Sequence, residues 1–188
     1  MLEKEQDAPL KGRIEIDDVY LGGKRPGKRG RGASHKRPFV VAVETDENGH
    51  PQRMKLTVVD RFSSDEIGNC AKKNIRAGSV VVSDGLPCFR AVKAAGCVHL
   101  AITPRGHKLG AGHPSFKWVN TMIGNVKNAI RATFHWIGLK HAPRYLAEFA
   151  YRFNRRKYVG EMIDRFIFAA LRTPPMPYRL LILAEKSG

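Results

Sequence analysis

Asp17 and Asp84 each close a short run of strand-forming residues. The first run is Arg13-Ile14-Glu15-Ile16-Asp17-Asp18-Val19-Tyr20, and the second is Ser79-Val80-Val81-Val82-Ser83-Asp84-Gly85. β-Branched apolar residues favour strands, and a polar residue followed by Gly marks a strand ending at a turn. A carboxylate at such an end is held by the rigid sheet and faces the crevice where α/β folds collect ligands. Two of them on neighbouring strands could hold hard divalent cations, which take oxygen ligands. Asp18 competes with Asp17 for that place. Strand alternation sends neighbours to opposite faces, so only one of the two is expected at the site. Glu15 shares the face of Asp17 and could support the site from behind that carboxylate, though its plainest reading is a solvated strand residue.

At 188 residues the chain is most economically one domain, and 43% hydrophobic content supplies a core and excludes wholesale disorder. The net charge of +16 and the pI near 10.2 point to a polyanionic partner, bound with release of counterions. Paired carboxylates on so cationic a chain point to metal-assisted phosphoryl chemistry on nucleic acid. Cys70, Cys88 and Cys97 form no C-x-x-C pair, which argues against a disulfide framework or zinc ribbon and fits a reducing cytoplasm. No apolar run approaches the roughly 20 residues that span a bilayer. Met1 to Asp7 lacks the apolar core of a signal peptide. No membrane partner is expected.

Residues 1–12 read as a loosely ordered segment, 13–173 as the domain and 174–188 as a tail. Strands are expected at 13–20, 38–45, 53–60, 79–83 and 97–101. The Asn48-Gly49 pair marks a hairpin between the second and third. Between the first two strands lies a Gly-rich loop in which Lys24 to Arg37 holds seven Lys or Arg and no acid. Ser63 and Glu66 have capping-box spacing for a helix running to about Arg76. A short helix follows at about 86–95, a loop at 103–117, and helices at about 119–134, 141–157 and 160–172. Leu146, Phe149, Ala150 and Phe153 mark the buried face of the second of these. This order matches an α/β, ribonuclease H-like mixed five-stranded sheet flanked by helices. There the first and fourth strands are neighbours, which brings Asp17 beside Asp84 across 66 intervening residues.

Five segments in order carry a family likeness: Glu-Ile-Asp-Asp-Val-Tyr-Leu-Gly-Gly (15–23), Ser-Asp-Gly (83–85), Val-Asn-Thr (119–121), Gly-Asn-Val-Lys (124–127) and Tyr-Leu-Ala-Glu-Phe-Ala-Tyr-Arg-Phe-Asn-Arg-Arg (145–156). Over about residues 12–157 the chain resembles the catalytic domain of DDE-type insertion-sequence transposases of the ISXO-like group. The resemblance implies a ribonuclease H-like fold, and strand cleavage and joining at transposon ends with Mg²⁺ or Mn²⁺ in a two-metal site. It also implies action as a homo-oligomer on DNA. Asp17 and Asp84 match the first two catalytic carboxylates. The third position is normally Glu; the matching segment here has no acid, and Asn125 is the candidate metal ligand. Glu148, the nearest downstream acid, is the rival, read as a structural ion-pair partner. Members of the group usually carry a zinc ribbon and helix-turn-helix before this domain, so the chain reads as a truncated form.

The DNA-holding set is expected to be Lys24, Arg25, Lys28, Arg29 and Arg31 in the first loop, Lys108 in the second, Lys127, and Arg155 and Arg156 at a helix end. Such phosphate contacts position DNA without reading its sequence. Trp118 and Trp136 could stack on a base but read more simply as core. His99, His107 and His113 lack metal-ligand spacing. Two other readings stand beside the transposase: a DNA-binding remnant without catalysis, and a ribonuclease H-like nuclease.

Overall fold

The structure, a computed structural model, describes residues 8–22, 36–102, 113–134, 141–175 and 177–179. Five strands form one sheet: β1 (Arg13–Leu21), β2 (Arg37–Thr45), β3 (Pro51–Val58), β4 (Val80–Ser83) and β5 (Val98–Ala101), in the order β3-β2-β1-β4-β5. β1, β2 and β3 form an antiparallel meander, whereas β4 is parallel to β1 and β5 is parallel to β4. This is the ribonuclease H-like mixed sheet expected from the sequence.

Period-two alternation sorts the strand residues onto two cores. On one face Ile14, Ile16, Val40, Ala42 and Val81 pack against α1 (Ser64–Asn74) and a 3₁₀ helix, Pro87–Ala95. On the other, Val19, Phe39, Val41, Val43 and Val82 meet α2 (Lys117–Ala129) and α3 (Ala142–Asn154). α2 buries Val119, Met122 and Val126, a 3-then-4 spacing that fixes how the helix is turned toward the sheet. Leu146 is fully buried, with Phe149, Ala150 and Phe153 partly so. α4 (Met162–Arg172) buries no residue and leaves Ile163, Phe166 and Leu171 exposed.

Several boundaries differ from the sequence reading, each for a local reason. β3 begins two residues early because the Asp46 carboxylate accepts both the His50 N–H and the Gln52 side-chain amide, closing the hairpin tightly. Gly49 sits there at φ +74, a conformation that favours glycine. α1 stops at Asn74 because Ile75 turns extended and pairs with Leu10. Residues 8–12 are therefore not loose: Leu10 is completely buried, and it exchanges backbone hydrogen bonds of 2.8 Å with Asn74 and Arg76. The expected helix at 86–95 is 3₁₀, entered at Pro87 and ended by Gly96 at φ +73. α2 gives way to a π turn, Ile130–Phe134.

Candidate active site on β1 and past the end of β4

β1 and β4 pair through Arg13–Val80, Ile14–Val81 and Glu15–Val82. Carrying that register two places on sets Asp17 beside Asp84, on the face that α2 covers. One carboxylate oxygen from each of Asp17, Asp18 and Asp84 lies within 4.8 Å of the other two. Asp18 thus joins the cluster, against the expectation that only one of the neighbouring aspartates could. β4 ends at Ser83, so the edge of β1 is open beyond that point, and a carboxylate from the far face can reach round it. The Asp17 carboxylate accepts the Asp18 N–H at 2.8 Å, and that of Asp84 accepts the Leu86 N–H at 3.0 Å. Both are thereby anchored to backbone. Ser83 is fully buried; its hydroxyl donates to the Asp84 carbonyl and meets His99 Nε2, each at 2.8 Å.

Burial pushes the Asp17 carboxyl up to about 7 from 3.8; the Asp18 and Asp84 carboxylates add to the rise, and the Asp18 N–H and the Lys127 charge oppose it. A carboxyl held in this way gains most from a cation, which offsets both desolvation and like-charge repulsion. The donor set suits a hard cation. Mg²⁺ takes carboxylate oxygens at about 2.0–2.1 Å, and three oxygens within 4.8 Å of one another are close enough that small side-chain movements would let them share an ion.

α2 is attached directly beside the cluster. Glu15, expected to be solvated, is 1% exposed, and its Oε2 accepts the backbone N–H groups of Trp118 and Val119, each at 2.9 Å. Asn120 is the next residue and is half-buried. At 3.6 residues per turn, Asn120 and Lys127 stand within about 20° of each other round the helix. Lys127 is the α2 residue whose charge acts on Asp17. Asn125 stands about 160° from Lys127 and is exposed, so the helix does not bring it to the pair. Of the two asparagines that the motif segments offer, Asn120 is the one on the Lys127 side of the helix.

The other candidates divide clearly. Glu148 pairs with Arg152 at 3.5 Å on the exposed side of α3. Arg156 is engaged by protein rather than open to phosphate: its guanidinium donates to the carbonyls of Pro51, Gln52 and Phe153 and stacks on the Phe153 ring at 3.9 Å. Arg155 lies over the Tyr151 ring at 5.2 Å. Asn154 completes this latch on β3, its side chain accepting the Met54 N–H at 2.7 Å and donating to the Met54 carbonyl at 3.1 Å. Trp118 donates its indole N–H to the Gly49 carbonyl, which ties α2 to the hairpin. The His113 ring accepts the Ser115 N–H at 3.2 Å. Lys24, Arg25, Lys28, Arg29, Arg31, His107, Lys108 and Trp136 lie outside the described residues.

A ribonuclease H-like sheet with one carboxylate midway along its first strand and another just past the end of its fourth defines the class of this domain. The family model of the ISXO2-like transposase domain matches residues 9–154. The chain belongs to that family, and the matched region is a transposase catalytic domain. No curated protein matches the chain. Among solved structures it is similar to the catalytic core domain of BIV integrase, at 15% identity and a TM-score of 0.47, over 73% of this chain and 80% of that one. Among the described residues, no helix is long and apolar enough to cross a membrane.

Proposed function

We propose that this domain cleaves and joins DNA strands at insertion-sequence ends by divalent-metal-dependent phosphoryl transfer. The observation that carries the reading is the convergence of Asp17, Asp18 and Asp84 oxygens within 4.8 Å in a transposase domain of net charge +16. Asp17 and Asp84 would hold Mg²⁺ or Mn²⁺, with Asp18 adding a third negative charge and Asn120 an amide oxygen. When bound, the metal supplies an activated oxygen nucleophile and stabilises the leaving oxygen of an in-line displacement. The residues of the chain do the rest by position and charge. The backbone anchors hold both carboxylates in place, and Lys127 presents a cation where a scissile phosphate would approach. Lys24, Arg25, Lys28, Arg29, Arg31 and Lys108 are proposed to grip the DNA backbone, and assembly as a homo-oligomer on DNA belongs to the same reading.

The test is Mn²⁺-dependent nicking of supercoiled plasmid. Asp17→Ala and Asp84→Ala should each abolish it with the fold intact by circular dichroism, and full activity in both would remove the assignment. The neutral residue at the third position favours a second reading, a DNA-binding remnant that has lost catalysis. Such a remnant would bind DNA equally well with and without Mg²⁺ and would nick none.

A further inference from the structure

A carboxylate taken out of water must be fully paired to be tolerated. Glu15 is, and its partners lie far along the chain. Oε1 takes Arg13 Nη1 at 2.9 Å, and Oε2 takes the N–H groups of Trp118 and Val119. Arg13 extends the brace, its second Nη donating to the Ser115 carbonyl at 3.1 Å and its first reaching Thr45 Oγ1 at 3.3 Å. The amides that Glu15 satisfies belong to the first turn of α2, where donors have no partner within the helix. Phe116, at the N-cap position, provides no side-chain cap. A local Ser or Asp would satisfy that helix end equally well. A cap lent by β1 does something more. It ties the start of α2 to the strand that carries Asp17 two residues further on.

We infer that Glu15 is a positioning residue, holding the Asn120–Lys127 side of α2 in register with the Asp17–Asp84 pair; the inference rests on the proposed metal-dependent strand chemistry. Asp17 and Glu15 share one strand and one face, so the separation between the carboxylate pair and the first turn of α2 is fixed by a single rigid segment. Asn120 follows immediately after the second tethered amide, which leaves little slack. The negative charge also sits at the positive end of the α2 dipole, which favours a carboxylate over a neutral acceptor. Arg13 holds that carboxylate against the segment entering α2, so the tether grips the helix start at Ser115, Trp118 and Val119. Misplacement by about 1 Å of a group that contacts the reacting phosphate costs about 100-fold in rate.

The experiment compares Glu15→Gln, Glu15→Ala and Asp17→Asn with wild type in the full chain. Nicking is measured across a Mn²⁺ titration, well below the melting temperature of each variant. Glu15→Ala should remain folded, bind plasmid DNA as wild type does, nick about 100-fold more slowly and need about tenfold more Mn²⁺ for half-maximal rate. Glu15→Gln should fall between, because its amide oxygen can still accept both N–H groups while its NH₂ faces Arg13. A purely structural Glu15 would lower the melting temperature and leave the rate and Mn²⁺ midpoint of the folded protein unchanged, and that result overturns the inference. Asp17→Asn separates the two failures: nicking that survives it defeats the metal-site reading, whatever Glu15 does. Should both Glu15 variants fail to fold, hydrogen exchange on wild type decides. The Trp118 and Val119 amides should be among the slowest in α2, and exchange at the rate of free helix-end amides would refute the tether.

Discussion

Replacing Asp17 with Asn should stabilise the metal-free protein at neutral and alkaline pH and do nothing for it in acid. In the folded chain, burial first, then the Asp18 and Asp84 charges, raise the Asp17 carboxyl from 3.8 to about 7. A carboxyl raised in this way contributes its full stability below the unfolded value near 4, and loses it as pH climbs through about 7. The span from 3.8 to about 7 corresponds to at most about 4 kcal/mol between the two extremes. Asp17 is only half-buried, so solvent screening brings a realistic figure nearer 2 kcal/mol. Asn keeps the shape and can still accept the Asp18 N–H, but carries no charge. For a chain of this size, about 2 kcal/mol is worth about 4–8 °C in melting temperature. Melting curves in EDTA at half-unit steps from pH 3.5 to 8.5 should show the variant level with wild type near pH 3.5 and several degrees above it by pH 8. Using the difference cancels the general effect of the +16 charge. Saturating Mn²⁺ should reverse the order at pH 8, since only wild type gains from binding. A difference that is flat with pH would refute the claim that Asp17 is held in an unfavourable charged state.

The asparagine assignment is checked by calorimetric Mn²⁺ titration, in which Asn120→Ala should weaken binding several-fold and Asn125→Ala should leave it unchanged. Asn154→Ala should destabilise the domain by about 1–3 kcal/mol in urea melts by leaving the Met54 backbone groups unpaired, with DNA affinity unaltered. If the loop 24–37 makes about four to six phosphate contacts, log affinity should fall against log salt with a slope near −4 to −5. Neutralising Lys24, Arg25, Lys28, Arg29 and Arg31 together should flatten that slope, whereas Arg156→Gln should not.

The sheet and the Asp17–Asp84 pair were legible because both rest on short-range patterns. Val80-Val81-Val82 and Ile14-Glu15-Ile16 declare strands, and the order of elements then makes β1 and β4 neighbours. What stayed hidden depends on phase or on distant contacts. Val-Asn-Thr and Gly-Asn-Val-Lys each offer an asparagine, and only the action of the Lys127 charge on Asp17 tells which side of α2 faces the carboxylates. Alternation put Asp18 on the far face, but the reach of its carboxylate past the end of β4 is invisible in a strand pattern. Glu15 read as solvated because its partners, Trp118 and Val119, lie more than 100 residues away. The surroundings of Leu10 and Arg156 were hidden for the same reason: a lone Leu in a polar segment and an Arg in a basic cluster show nothing of Ile75 or of the Pro51 and Gln52 carbonyls.

The most direct test of the metal centre is a crystal of the wild-type chain grown with Mn²⁺ and measured for anomalous scattering. The account expects the strongest peak between the carboxylates of Asp17 and Asp84, within about 2.3 Å of an oxygen from each, and its disappearance in Asp17→Asn. A strong peak elsewhere, with none at this pair under saturating Mn²⁺, would contradict it.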